Sequence, residues 1–63
     1  MRWLVIIGLC IDGLWKPERH VPVDAGRVLA AVRKAIPEAC RLAGVPQHST
    51  RISDVTIKTR IVF

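Results

Sequence analysis

From Trp3 to Ile11 the chain is apolar at every position except the single glycine, Gly8. Read with a period of two, Trp3, Val5, Ile7, Leu9 and Ile11 share one face, and Leu4, Ile6, Gly8 and Cys10 share the other. Both faces are apolar, so residues 3–11 are expected to form a strand that is covered on both sides. Asp12-Gly13 follows as a turn signal. Residues 14–23 carry two prolines and mixed charges. They are expected to form a loop, with at most a short edge strand at 18–23, because proline lacks the N–H that a central strand needs.

The periodicity then changes. Between Asp24 and Gly44 the apolar positions Val28, Leu29, Val32, Ala35, Ile36, Ala39, Cys40, Leu42 and Ala43 fall on one arc of a helical wheel. Arg27, Ala30, Lys34, Glu38 and Arg41 lie opposite, with Arg33 beside them. Asp24 is expected to cap the helix at its start, the helix to run from Ala25 toward Ala43, and Gly44 to end it. Pro37 falls inside, and because the apolar arc keeps its phase across it, a kink is expected there rather than a second helix. Residues 45–50 suit a loop. Residues 52–63 alternate again: Val55, Ile57, Thr59, Ile61 and Phe63 on one face, Asp54, Thr56, Lys58, Arg60 and Val62 on the other.

These elements define a small α+β domain over residues 1–63. A two- to three-stranded sheet carries one Pro-kinked amphipathic helix in the order β-(β)-α-β. The outer strands fit either a parallel pair joined through the helix or an antiparallel arrangement with a third strand. One helix covers only one sheet face, whereas the first strand asks for cover on both. The fold is therefore expected to be completed by a homodimer, with Trp3, Val5, Ile7 and Trp15 as candidate interface residues. The competing reading puts loop 14–23 over that face, with Trp15 as a plug for the core, and that buried role is the one expected for the indole.

Length sharpens this. A chain of 63 residues buries only about 60% of the surface its unfolded form exposes, which argues against a roofed active site. Hydrophobic residues make up 51% of the chain, which excludes disorder. Cys10 and Cys40 form no CxxC pair and are expected to be free buried thiols in a reducing compartment, hence a cytoplasmic location. The apolar N-terminal run resembles a short signal segment, but Leu9 fits poorly before a lipidated Cys10, and the run is too short to span a bilayer. No membrane association is expected.

Charge supplies the candidate chemistry. Ten Lys+Arg against five Asp+Glu give a net charge of +5. Arg27, Lys34 and Arg41 recur every seven residues with Arg33 alongside, and Arg51, Lys58 and Arg60 accompany the last strand. Such cations suit phosphate backbones, since each neutralised phosphate releases counterions. The plainer reading is a solvated helix face, because Glu38 can pair with Lys34 or Arg41. His20, His48, Cys10 and Cys40 match no zinc-finger spacing, the carboxylates are scattered, and the four glycines are isolated. No enzyme activity, cofactor or metal is expected. The chain reads as a small basic module binding RNA or DNA as a homodimer. The alternative is a module for a protein partner, such as a small inhibitor or assembly subunit, using the apolar first strand or Trp15.

Overall fold

A computed structural model describes residues 1–62; the expected place of Phe63 on the apolar row of the last strand lies outside the described residues. Five elements follow one another: β1 (Arg2–Ile11), β2 (Leu14–Trp15), β3 (Arg19–Asp24), α1 (Val28–Ala43) and β4 (Ile52–Val62). The result is an antiparallel sheet with one helix packed against it, an α+β fold.

β1 is the central strand, as its two apolar faces require. β4 runs antiparallel along one of its edges, from Arg2 opposite Val62 to Ile11 opposite Ile52, with a bulge near Cys10 and Ile11. β3 pairs with Arg2 to Ile7 and β2 with Cys10 and Ile11, both antiparallel. Since β4 occupies one whole edge of β1, β2 and β3 must lie end to end along the other. The first and last strands, whose pairing the sequence left open between parallel and antiparallel, are antiparallel neighbours, and the helix makes the crossover from β3 to β4. β3 and β4 are both antiparallel to β1 and so parallel to one another.

The turn after β1 belongs to a two-residue hairpin, not a long loop. Asp12 and Gly13 both have positive φ, 54° and 79°, the combination that matches the twist of a hairpin and that Asp-Gly tolerates. β2 therefore begins at Leu14, inside the stretch expected to be a loop. Lys16 still donates its N–H to the Leu9 carbonyl before the pairing breaks at Pro17.

The helix start is a correction. Asp24 does not cap α1; it ends β3, where its carboxylate binds the Arg2 guanidinium across the sheet. Arg27 occupies the N-cap position and offers no side-chain cap. Ala25 continues the sheet, its N–H donating to the Met1 carbonyl and its carbonyl accepting from Trp3 Nε1, so the helix starts only at Val28. The helix then runs unbroken past Pro37. Its end matches expectation: Gly44, at φ 76°, donates to the Arg41 carbonyl, and Val45 donates to the Cys40 carbonyl. These are the two bonds of a Schellman ending, and Val45 is buried beside it.

Alanines set the packing. Ala31, Ala35 and Ala39 are fully buried against Val5, Ile7, Leu9 and Ile11 of β1 and Val21 of β3. With no bulk at those positions the helix lies close over β1 and β3, and it barely reaches β4. The row on β4 that shares the helix side is therefore left open: Val55, Ile57 and Ile61 remain 41%, 42% and 47% exposed. The packed face expected for this strand is only half covered within one chain.

Candidate nucleic-acid interface

The sequence-derived cations separate into two groups. On α1, Lys34 leans toward β3 and its Nζ donates to the Asp24 carbonyl at 2.6 Å. Arg41 lies on the same flank, seven residues or about 10.5 Å of helix rise further on, while Arg27 stands at the N-cap position with extended backbone, just before the helix. Arg41 is held by the Glu38 carboxylate one turn away, whereas Arg27 and Arg33 make no ion pair among the described residues. The start of the helix adds to this group, since it has neither a side-chain cap nor an acid in its first turn. Its exposed N–H groups and positive dipole end lie beside Arg27.

The second group belongs to β4 and its approach. Arg51 reaches Asp12 with contacts of 2.7 and 3.0 Å. Lys58 lies 3.7 Å from Glu18. Arg60 has no acid partner among the described residues. Lys58 and Arg60 share the sheet face away from the helix, opposite Ile6 and Leu4. This second group does not merge with the helix group, because the sheet separates them.

Four ion pairs thus consume Arg2, Arg41, Arg51 and Lys58 together with Asp24, Glu38, Asp12 and Glu18. Lys16, Arg19, Arg27, Arg33, Lys34 and Arg60 are left without an acid partner among the described residues. Arg19 sits on the helix side of β3, and its Nε is buried with no hydrogen-bond partner.

The pairs also set a pH dependence. Hydrogen bonds from Arg51, Arg2 and Arg41 hold the Asp12, Asp24 and Glu38 carboxyls below their ordinary values of 3.8, 3.8 and 4.5. A depressed folded-state value means stability that is present above the unfolded value and is lost as pH falls through the folded one. Thermal stability is therefore expected to decline as pH drops below about 4.5, and to go on declining beneath 3.8. All three pairs are exposed, so the decline should shrink at high salt. Melting curves taken from pH 6 to pH 2 at two ionic strengths check both points.

The candidate interface residues fall in different environments. Val5 and Ile7 are enclosed beneath the helix, at 0% and 1% exposure, and offer no surface to a partner. Trp3 is half-buried, and its Nε1 donates to the Ala25 carbonyl at 3.0 Å. Trp15 is not a core plug. It is 53% exposed and lies on the face away from the helix, its ring passing over Gly8. Gly8 and Cys10 are buried there, while Leu4 and Ile6 are half-buried. At the other end of that face Arg2, Leu4, Pro22, Asp24 and Val62 line a shallow hollow of about 460 Å³.

Cys10 and Cys40 are free and buried, and burial pushes the Cys40 thiol up, away from thiolate chemistry. Cys40 borders an open cleft of about 300 Å³ between α1 and the base of β4, shared with Ile36, His48, Ser49, Ile52 and Val55. No three metal-ligating side chains come together among the described residues. No helix among them is long and apolar enough to cross a membrane.

The exposed N–H groups at the start of α1 were the part of this surface that composition did not reveal. They follow from the displacement of Asp24, and no residue type in Ala25-Gly26-Arg27 signals them. Fold and surface together define a small α+β protein with one antiparallel sheet, one helix and a basic helix flank. No protein-family model, curated protein or solved structure matches the chain.

Proposed function

We propose that this chain is a non-enzymatic binding module for nucleic acid, acting as a homodimer in the cytoplasm and contacting phosphates through α1. One observation carries the reading. The ion pairs leave Arg27, Arg33 and Lys34 without acid partners on the amino-terminal half of a helix whose first turn is uncapped. Positive charge gathered at the positive end of a helix dipole is unfavourable for the free protein and favourable for an anionic ligand. Arg33 and Lys34 extend this site from Arg27 along the helix, toward an Arg41 already engaged by Glu38, which suits a repeating anion better than a single one. The two buried free thiols accord with a reducing compartment.

The test is fluorescence anisotropy of labelled single- and double-stranded oligonucleotides across a salt series. Affinity should fall steeply with salt. The Arg27→Ala/Lys34→Ala double variant should flatten the log–log slope by about two, one for each lost phosphate contact. Arg51→Ala should change it less, since that guanidinium is already engaged by Asp12. Weak binding at low salt, unmoved by the double variant, would overturn the reading. The open sheet face would then be the better surface, because Trp15 and the hollow beside Leu4 and Pro22 offer an aromatic anchor to a protein partner.

A further inference from the structure

The strand β4 is unfinished in two directions. Its eleven residues pair with β1 along one edge, and its other edge has no strand beside it among the described residues. On the helix side its row of Val55, Ile57 and Ile61 is open. A long free edge with an apolar row on one face is a template for another strand.

We propose that the edge of β4 pairs antiparallel with β4 of a second copy, about a twofold axis at Ile57. The strand itself supplies the reason for a second copy. Ile57 is the midpoint of Ile52–Val62. Pairing about it overlaps the regular part of the strand, from Asp54 to Arg60, the bulge against Cys10 and Ile11 putting Ile52 out of step, and it sets Asp54 opposite Arg60 of the partner subunit twice over. Asp54 is the one acid without an ion pair among the described residues, its Oδ1 accepting only the Val55 N–H at 2.8 Å, a bond that gives way on pairing, and Arg60 is one of the cations without an acid partner. The same register places Thr56 opposite Lys58 of the partner subunit, and Ile57 against its own copy. Moving the axis to Lys58 opposes two lysines. Moving it to Thr56 sets Asp54 opposite Lys58 of the partner subunit, a lysine that Glu18 already engages, and leaves Arg60 facing Ile52 of the partner subunit. Opposite residues in an antiparallel pair share a face, so the two apolar rows join into one floor. The axis stands perpendicular to the sheet, which puts both helices on the same side of it. The pairing does not depend on the nucleic-acid reading; only the use of two basic helices on one face does.

The test is sedimentation velocity without nucleic acid, across micromolar concentrations. The expected species has twice the chain mass of 7.0 kDa. Asp54→Arg and Arg60→Asp should each weaken the dimer about tenfold or more by opposing like charges, and the double reversal should restore it to within about threefold. Both side chains are exposed, so the fold survives these changes. A second measurement uses Ile57→Cys. The Cα separation across an antiparallel pair, about 4.5–5.5 Å, fits a disulfide, and residue 57 alone faces itself. This variant should cross-link under mild oxidant far faster than Val55→Cys. A monomer at every concentration, a dimer indifferent to both single reversals, or cross-linking no faster at 57 than at 55 overturns the proposal. Since no nucleic acid is present, each of these results leaves the anisotropy experiment to stand or fall by itself.

Discussion

Replacing Ile7 with alanine is expected to leave the chain largely unfolded in water at 25 °C. Ile7 sits mid-strand in β1 and is 1% exposed, among the largest fully buried side chains of the protein. Its neighbours in the core are Val5, Leu9 and the alanine row of α1. Truncating such a side chain costs about 2–5 kcal/mol, with the larger values where the surroundings cannot collapse into the gap. The helix buries Ala31, Ala35, Ala39 and Cys40, none of them long enough to fill the space, and Ile36 borders the cleft beside Ile7, so the cost should fall within that range. A core of this size supplies roughly 3–5 kcal/mol in all. The two figures are comparable, hence the expected collapse. Far-UV circular dichroism and a urea titration read it directly. Leu29→Ala, on an exposed part of the same helix, serves as the control and should keep a cooperative transition. A folded Ile7→Ala protein with a loss under about 1 kcal/mol would show that this core is not packed as described.

Gly8 carries the second large effect, for the opposite reason. A Cβ at this position would lie 2.5 Å from Thr56 Oγ1 and 3.7 Å from the Trp15 ring. The first distance forces a shift, and Thr56 is β-branched on a paired strand, so it has little room to give. Gly8→Val adds two methyl groups beneath the indole as well. Overpacking of this kind costs about 1–3 kcal/mol, and valine should reach the top of the range. Thr56→Ala removes the clashing oxygen. It should recover most of the loss in Gly8→Ala and little of it in Gly8→Val, where the ring remains the obstacle. Urea midpoints for the four combinations of Gly8→Ala and Thr56→Ala form the cycle. If the two changes add within about 0.5 kcal/mol, the close approach is not there.

Where local chemistry decided the structure, the sequence was readable. Asp12-Gly13 made a hairpin turn because both residues accept positive φ, and Gly44 ended the helix for the same reason. The helix followed the apolar arc, and the continuous apolar run of β1 and the alternation in β4 announced strands. What escaped depended on partners distant in the chain. Asp24 looked like a cap until Arg2, 22 residues away, claimed its carboxylate. Trp15 looked like core until the hairpin turned it onto the face away from the helix. The cations were legible as a set, but the choice between engaged and unengaged ones was not, because Arg51 and Lys58 find their acids across the fold. The open row of β4 was likewise hidden, since nothing in its own pattern tells how far across the sheet an alanine-lined helix will sit.

The two margins of the sheet are unlike each other. On the β3 side the strand is interrupted after Trp15, and Pro22, opposite Leu4, has no N–H to offer. That margin is a poor template for a further strand. The β4 margin is a single strand free of proline, bulged only near its start, beside Cys10 and Ile11. Growth by strand addition therefore has one open end per molecule. Once two copies have joined there, the assembly presents only its blocked margins. It closes at two members and does not extend into a fibre, so an eleven-residue open edge need not make the protein prone to polymerise.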